Sequence, residues 1–106
     1  MTTYNIVENV LKTFELSPVD NRKSFYGKCR VIETRSRTYL QSYNTMVCYW
    51  DNNTSKFART WSGYSVTTMR HINAFMRYLG LNLGGKTWWN SLEYKKEYTL
   101  SEILNI

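Results

Sequence analysis

The sequence predicts a small α+β domain, in which an antiparallel β-meander of three to four strands packs against one long helix. Three observations support this prediction. Apolar and polar residues alternate at a period of two within residues 24–61, whereas apolar residues recur at helical spacing within residues 66–79. Segments rich in Asn, Asp, Ser and Gly separate these runs. A length of 106 residues suits one hydrophobic core, so we expect a single domain over residues 1–106.

The first predicted element is an N-terminal helix within residues 1–15. Ile6, Val10 and Phe14 recur at every fourth position and would form an apolar stripe along such a helix. Pro18 has no backbone N–H to donate, so we expect the segment around it to end the helix before the sheet begins.

Four strands are predicted after this helix. The alternation that starts at residue 24 predicts the first strand, and residues 37–43 predict the second. Residues 46–50 are rich in side chains that favour strands. Residues 51–54 predict a turn, because Asn and Asp tolerate positive φ and bond to their own backbone. Residues 56–61 then form the fourth strand.

Residues 66–79 predict the main helix, with Ser65 or Thr67 as its N-cap and Gly80 at its end. We expect residues 24–80 to contain the sheet and this helix. Residues 81–106 would be a C-terminal appendage that contains short helical turns. The predicted core-facing residues of the main helix are Met69, Ile72, Phe75, Met76 and Leu79. The predicted solvent-facing residues are Arg70, Asn73, Ala74 and Arg77.

Positive charge is concentrated in the middle of the chain. Residues 22–86 contain eleven basic and two acidic residues, a local net charge of +9, whereas the whole chain carries +6. Charge placed in this way indicates an anionic partner, for which nucleic acid, a nucleoprotein complex and an acidic protein face are the candidates. Aromatic residues make up 16% of the chain, so we expect some rings to lie on the surface.

Several other classes of protein are not expected. The longest uncharged stretch, residues 38–50, is too short and too polar to span a membrane, and residues 1–15 lack a signal-peptide pattern. We therefore expect the protein to stay in the compartment where it is made. Cys29 and Cys48 are too few for a disulfide framework and, with the single His71, cannot form a zinc site. No cofactor or metal is predicted, and the sequence leaves the oligomeric state open.

The principal candidate site is a surface that combines basic and aromatic side chains. A sheet face with Lys and Arg beside Tyr can neutralise phosphates while bases stack on the rings. Arg and Asn on an exposed helix face can read base edges in a major groove. An ordinary solvated surface is the alternative interpretation of both patterns. The candidate residues for nucleic acid or an acidic partner are Tyr26, Lys28, Arg30, Arg35, Arg37, Lys56, Arg59, Arg70, Asn73 and Arg77.

A second hypothesis is a protein–protein inhibitor or adaptor that binds its partner through exposed aromatic rings. An enzyme is not expected, because no acidic residue lies at a readable spacing from His71. Residues 84–87 end like a phosphate-binding loop but lack the full spacing and the preceding strand. The candidate residues for a protein partner are Trp50, Trp61, Trp88 and Trp89.

The run Ser42-Tyr43-Asn44-Thr45-Met46-Val47, together with residues 61–75, resembles a family of short uncharacterised proteins. That family occurs in phages, plasmids and other mobile elements of Gram-positive bacteria. Its pattern is S-Y-x-T-x-V, a variable hairpin, and S-x-T-T-x-R-H-I-x-x-F, and the resemblance covers about residues 25–80. The resemblance implies a genomic setting but no activity. It also implies that the protein acts in the cytoplasm of a bacterial host, and that an inhibitor or adaptor would act on host machinery such as a defence nuclease. On physical grounds we expect hydroxyls to cap the main helix, and Arg70 or His71 to bond back to the hairpin. The residues that match the pattern and draw attention are Tyr43, Thr45, Ser65, Thr67, Thr68, Arg70 and His71.

Overall fold

The computed structural model describes residue 6 and residues 8–19 and 24–106. Within these residues, a six-stranded antiparallel sheet is combined with three helices. The strands lie side by side in chain order, so each one pairs with its neighbour in sequence. The elements are β1 (Lys12–Glu15), β2 (Cys29–Glu33), β3 (Arg37–Ser42), β4 (Thr45–Asp51), β5 (Lys56–Arg59), α1 (Val66–Tyr78), α2 (Lys86–Ser91), β6 (Glu97–Thr99) and α3 (Leu100–Leu104).

One face of the sheet packs against α1 and forms the main core. Val31 lies opposite Leu40, and Leu40 lies opposite Cys48, and all three side chains are fully buried. Ile72 and Phe75 of α1 belong to the same cluster. Burial of an aliphatic or aromatic side chain of this size contributes about 1.5–3 kcal/mol, so this face supplies most of the stabilisation.

The opposite face of the sheet is also buried along one row. Ile32, Tyr39, Tyr49 and Ala58 are consecutive register partners on four neighbouring strands, and each is at most 8% exposed. Ile6 packs against this row. Because both faces are covered, the strands do not show the clean alternation of a half-exposed sheet.

The structure confirms the α+β class, the antiparallel sheet and the main helix, but the sheet has six strands instead of the predicted three to four. β2 begins at Cys29 and not at residue 24, because residues 25–28 form a turn. The N-cap of α1 is Ser65, whose hydroxyl accepts a hydrogen bond of 3.0 Å from the Thr68 N–H. Gly80 follows the helix with φ 80°, a left-handed conformation that glycine adopts without steric cost. The buried face is wider than predicted, because Ala74, assigned to the solvent side, is only 3% exposed.

The predicted N-terminal helix is wrong over the described residues. Lys12–Glu15 forms the edge strand β1, in which Phe14 lies opposite Val31 of β2. The Phe14 ring also packs edge-on against Tyr78 of α1, with 5.3 Å between centroids. These long-range contacts override the local helical spacing of the apolar residues. The rest of that predicted helix, residues 1–5 and 7, lies outside the described residues.

The C-terminal residues belong to the domain and are not an appendage. β6, which was not predicted, extends the sheet by pairing with β5 and places Tyr98 opposite Phe57. Trp89 is fully buried and its indole N–H donates to the Gly63 carbonyl at 2.9 Å. Trp88 is 8% exposed and donates to the Ile103 carbonyl at 3.1 Å. The Trp89 indole thus links the C-terminal residues to the loop before α1, and the Trp88 indole links α2 to α3.

Candidate functional site

Two tight turns meet at one end of the sheet. In the first turn, the Lys28 N–H donates to the Phe25 carbonyl at 3.0 Å, which places Tyr26 at the tip. In the second, Tyr43 begins the two-residue connection between β3 and β4. The Tyr43 N–H donates to the Lys28 carbonyl at 2.8 Å, so the turns are adjacent. Tyr26 is 76% exposed and Tyr43 49% exposed. Two exposed tyrosines therefore lie on adjacent turns at this end of the sheet.

Both tyrosines have left-handed backbone conformations. Tyr26 has φ 53° and is followed by Gly27 with φ 75°, which is the geometry of a type I′ turn. Tyr43 has φ 55°. Asn, Asp and Gly are the residues that favour such positions, whereas a bulky residue costs about 1 kcal/mol or more there. Turn geometry does not account for tyrosine at either position, which indicates a role for the two rings themselves.

Two cations belong to the same end of the sheet. The Arg70 guanidinium carbon is 5.0 Å from the centroid of the Phe25 ring, which is buried under the first turn. Lys28 is exposed between the two turns. We define the tyrosine end as Tyr26, Lys28, Tyr43 and Arg70. Glu15 borders it, since its Oε1 lies 3.4 Å from the position that a Cβ on Gly27 would occupy.

Arg30, in β2, lies next to the tyrosine end on the face of the sheet opposite α1. It is half-buried and its register partners are Glu15 and Gln41. Among the described residues, neither Lys28 nor Arg30 has a carboxylate oxygen within ion-pair distance. Their charge is therefore available to an anionic partner.

We expect that both tyrosines can be replaced without loss of stability. Tyr26→Asn and Tyr43→Gly put into each turn a residue that favours its φ, so the free energy of unfolding should stay constant or rise by up to about 1 kcal/mol. Urea denaturation of each variant measures this change. Ser55→Gly, at another turn with φ 55°, is the matched control and should behave in the same way. A loss of more than about 1 kcal/mol in a tyrosine variant would show that the ring supports the fold.

His71 lies beneath the tyrosine end and joins α1 to the hairpin. Its Nδ1 and the Ser42 Oγ form a hydrogen bond of 2.7 Å, and the Ser42 Oγ is 3.0 Å from the Thr68 Oγ1. The Phe25 ring packs edge-on against the imidazole at 4.5 Å between centroids, and the Tyr43 ring lies at 5.7 Å. Burial, aided by the charge of Arg70, lowers the pKa of His71 to about 4. The prediction that His71 bonds back to the hairpin is confirmed, with a neutral imidazole at neutral pH.

The remaining residues of the sequence pattern are close to this network. Thr45 is the register partner of Ser42 at the base of the second turn, and Thr67 lies half-buried in the first turn of α1. Together with the Ser65 cap and the Ser42–Thr68 contact, they surround the junction between the β3–β4 hairpin and the start of α1. The hydroxyl and imidazole groups of the pattern thus have structural roles at this junction, next to Tyr43 and Arg70.

The Ser42–His71 pair has the atoms of a hydrolase nucleophile and base, but its setting differs. Ser42 is 2% exposed and His71 1% exposed, and no described carboxylate bonds to the imidazole. Cys29 and Cys48 are buried free thiols, and burial raises the pKa of Cys29 to about 12. The described residues contain no group of three or more side chains placed to hold a metal ion. The geometry favours a structural role for this pair.

Arg59 was predicted to bind an anionic partner, and this prediction does not agree with its position, since the residue is only 5% exposed. Its guanidinium makes five hydrogen bonds of 2.7–3.2 Å, all to backbone carbonyls. It also stacks over the Trp89 ring at 4.4 Å. The donors of this side chain are therefore used inside the protein. The accepting carbonyls belong to Trp61, Ser62, Gly63, Trp89 and Leu92.

The other predicted basic residues do not form one surface with the tyrosine end. Arg35 and Arg37 lie at the opposite end of the sheet, and Lys56 lies across from Asp51 in the register there. The Arg37 Nε is 3.2 Å from the Asp51 Oδ2, and its Nη2 is 3.8 Å from Glu97. Acidic side chains thus offset part of the positive charge at this end.

The predicted polar face of α1 is partly used within the protein. The Asn73 Oδ1 accepts a hydrogen bond of 3.1 Å from the Gly85 N–H, so its amide holds the loop before α2. Arg77 is exposed and donates to the Asn82 side chain at 2.9 Å. Asn73 is therefore not presented for reading a base edge.

The four tryptophans do not form an exposed patch. Trp50 and Trp61 are half-buried and pack against the main core, while Trp88 and Trp89 are inside it. The expectation that these rings are exposed as a protein-binding surface is wrong. Packing of the C-terminal residues against the sheet is the reason, and the exposed aromatic residues of interest are tyrosines instead.

The fold and the candidate site define the class of this protein. It is an α+β domain with a six-stranded antiparallel sheet that presents tyrosines and cations at one end. The chain belongs to a family of unknown function (DUF8033), which matches residues 14–91. This range includes every residue of the tyrosine end. Among curated proteins and among solved structures, none matches the chain. No helix within the described residues has both the length and the apolar character that crossing a membrane requires.

Proposed function

We propose that this protein is a non-enzymatic binding protein that engages single-stranded nucleic acid through its tyrosine end. The observation that carries the proposal is the presence of two exposed tyrosines in left-handed backbone positions on adjacent turns, together with the exposed Lys28 and with Arg70, which lies over the Phe25 ring of the first turn. In the proposed complex, bases stack on Tyr26 and Tyr43, and phosphates contact Lys28 and Arg70.

The chemistry of the tyrosine end suits a single strand better than a duplex. Stacking of an unpaired base on an aromatic side chain contributes about 1–3 kcal/mol, and it requires the base face to be free. The two rings project from turn tips, where they reach splayed bases more easily than bases inside a helix. Asn73, the residue suited to reading adenine in a major groove, is bonded to the Gly85 backbone.

Fluorescence anisotropy with a labelled mixed-sequence oligonucleotide tests the proposal. We expect binding of single-stranded DNA or RNA at about 50 mM salt, with an affinity that falls steeply as salt rises. The double variant Tyr26→Asn/Tyr43→Gly should bind at least about tenfold more weakly while remaining folded. The double variant Lys28→Gln/Arg70→Gln should bind more weakly and with a smaller dependence on salt.

Two matched controls separate this site from general surface effects. Tyr94→Asn removes a tyrosine that is 39% exposed. The Tyr94 backbone forms an isolated β-bridge with Arg59, away from the tyrosine end. Arg77→Gln removes an exposed cation in the last turn of α1, which belongs to neither turn of the tyrosine end. Both controls should keep the wild-type affinity. If wild-type protein binds neither polymer at low salt, or if the tyrosine double variant binds as tightly as wild type, the proposal is wrong.

The tyrosine end also favours one alternative, an inhibitor or adaptor of a host protein, because exposed tyrosines are frequent binding hot spots. The resemblance to mobile-element proteins suggests that the target of this protein is a host complex that acts on nucleic acid. Under this alternative, nucleic acid does not bind, and a host partner is retained with weak salt dependence and lost on Tyr26→Asn/Tyr43→Gly. The double variant Tyr26→Asn/Tyr43→Gly therefore tests both hypotheses.

A further inference from the structure

A carboxylate of the chain itself occupies a cluster of hydrogen-bond donors at the end of the sheet opposite the tyrosines. The Glu8 Oε1 accepts a hydrogen bond of 2.7 Å from the Thr34 hydroxyl and one of 3.4 Å from the Ser36 N–H. It also accepts a hydrogen bond from the Ser36 hydroxyl. The three donors belong to the connection between β2 and β3, which we call the 34–37 turn.

The shape of the 34–37 turn is maintained without Glu8. The Thr34 N–H donates to the Arg37 carbonyl at 2.9 Å, and the Arg37 N–H donates to the Thr34 hydroxyl at 3.1 Å. The Arg37 guanidinium is held in place by Asp51 and lies 4.0 Å from the centroid of the Tyr49 ring. The donors are thus already oriented around the position of the carboxylate oxygen.

The donor set is one that suits a phosphate group. Two hydroxyls and a backbone N–H converge on one anionic oxygen, and hydrogen bonds to an ionised acceptor are stronger than neutral ones. The hydroxyls of Ser36 and Thr34 lower the pKa of the Glu8 carboxyl, which is consistent with an ionised occupant. Arg35 lines the same cleft beside Glu8 and can contact a further oxygen of a larger anion. Hydroxyls, backbone N–H groups and Arg are the usual protein ligands of phosphate.

We propose that the 34–37 turn is a phosphate-binding site that Glu8 occupies in the unliganded protein, and that a phosphate group displaces Glu8. Displacement of Glu8 also affects the face of the sheet opposite α1. Ile6, two residues before Glu8, packs on the buried row that contains Tyr39 and Tyr49. Displacement of Glu8 releases the anchor of this segment and uncovers aromatic and basic side chains on that face.

Phosphate titration followed by amide NMR tests the site with inorganic phosphate as the probe, at constant ionic strength. In the Glu8→Ala variant, millimolar phosphate should shift the Ser36 amide resonance in a saturable way. Wild type should require at least about tenfold more phosphate, because the carboxylate competes. Glu8→Gln keeps the side-chain size and removes the charge, so the phosphate concentration that it requires should lie between those of Glu8→Ala and wild type. It replaces Glu8→Ala in the experiment if that variant is unstable.

Two further variants and a comparison of oligonucleotides test whether phosphate binds at the 34–37 turn. Ser36→Ala in the Glu8→Ala background should weaken phosphate binding, whereas Arg77→Gln, an exposed cation on α1, should leave it unchanged. Comparison of oligonucleotides with and without a 5′-phosphate distinguishes a terminal phosphate monoester from a backbone diester. No saturable shift in either Glu8 variant, or an undiminished shift with Ser36→Ala, would overturn the proposal.

This inference is independent of the proposed function. The 34–37 turn and the tyrosine end lie at opposite ends of β3, so Tyr26→Asn/Tyr43→Gly should not alter the response to inorganic phosphate. If phosphate does not bind to the 34–37 turn, the proposal for the tyrosine end still holds. If oligonucleotides do not bind at the tyrosine end, the proposal for the 34–37 turn still holds.

Discussion

Replacement of Arg59 with methionine is expected to lower the free energy of unfolding by about 3–5 kcal/mol. Methionine is a long side chain that cannot donate, so five carbonyl hydrogen bonds are lost in a buried site. These bonds join β5 to the loop after it and to the end of α2. Trp89 also loses the guanidinium that stacks on its ring. Urea denaturation followed by tryptophan fluorescence measures the loss.

Two other substitutions test this explanation. Arg59→Lys keeps the positive charge but has a point-like ammonium group, so it should recover part of the stability and not all of it. Arg77→Met removes an exposed cation that makes one hydrogen bond to Asn82 and should change stability by less than about 0.5 kcal/mol. If Arg59→Met were as mild as Arg77→Met, the five hydrogen bonds would not contribute to stability.

Acidification is expected to destabilise the protein through His71. The folded-state pKa is about 4 and the ordinary value is 6.5, so the unfolded chain takes up the proton first as the pH falls. Stability is therefore complete above pH 6.5 and declines as the pH falls from 6.5 toward 4. At about pH 4.5 the loss should reach about 2 kcal/mol relative to about pH 7. Urea denaturation at a series of pH values gives this profile.

His71→Asn isolates the contribution of the imidazole. Asparagine can bond to Ser42 but does not titrate, so the variant should be less stable at neutral pH and nearly independent of pH between about 7 and 5. Acidic residues titrate mainly below this window, because their ordinary pKa values are about 4. A wild-type profile that is flat over the same window would contradict the assignment of a buried, neutral His71.

Local patterns in the sequence predicted the central part of the fold well. β2, β3, β4 and β5 follow alternating or strand-favouring runs. Residues 51–54 form the expected turn, in which the Asp51 Oδ1 accepts hydrogen bonds from two following N–H groups. The start of α1 at Ser65 follows from a hydroxyl placed before an apolar helical repeat. Each of these features depends on residues within one turn or one hairpin.

The candidate site was only partly predictable. Tyr26, Lys28, Tyr43 and Arg70 were all singled out from the sequence, but the charge pattern grouped them with residues elsewhere in the fold. The Tyr26-Gly27 pair was the available signal for a tight turn, and it was assigned to the first strand instead. Glu8 gave no signal, since its partners Thr34 and Ser36 are far from it in the sequence.

By itself, the sequence determined where the central strands and α1 lie along the chain, limited the cap of α1 to Ser65 or Thr67, and showed the concentration of positive charge in the middle of the chain. Only the tertiary structure decided that β1 and β6 complete the sheet, that Arg59 and the two C-terminal tryptophans are buried, and that the turns of Tyr26 and Tyr43 are adjacent. Periodicity, caps and turns are local properties that a short segment carries with it. Edge-strand pairing, the burial of a cation and the meeting of two turns depend on contacts between distant segments, which no local pattern specifies.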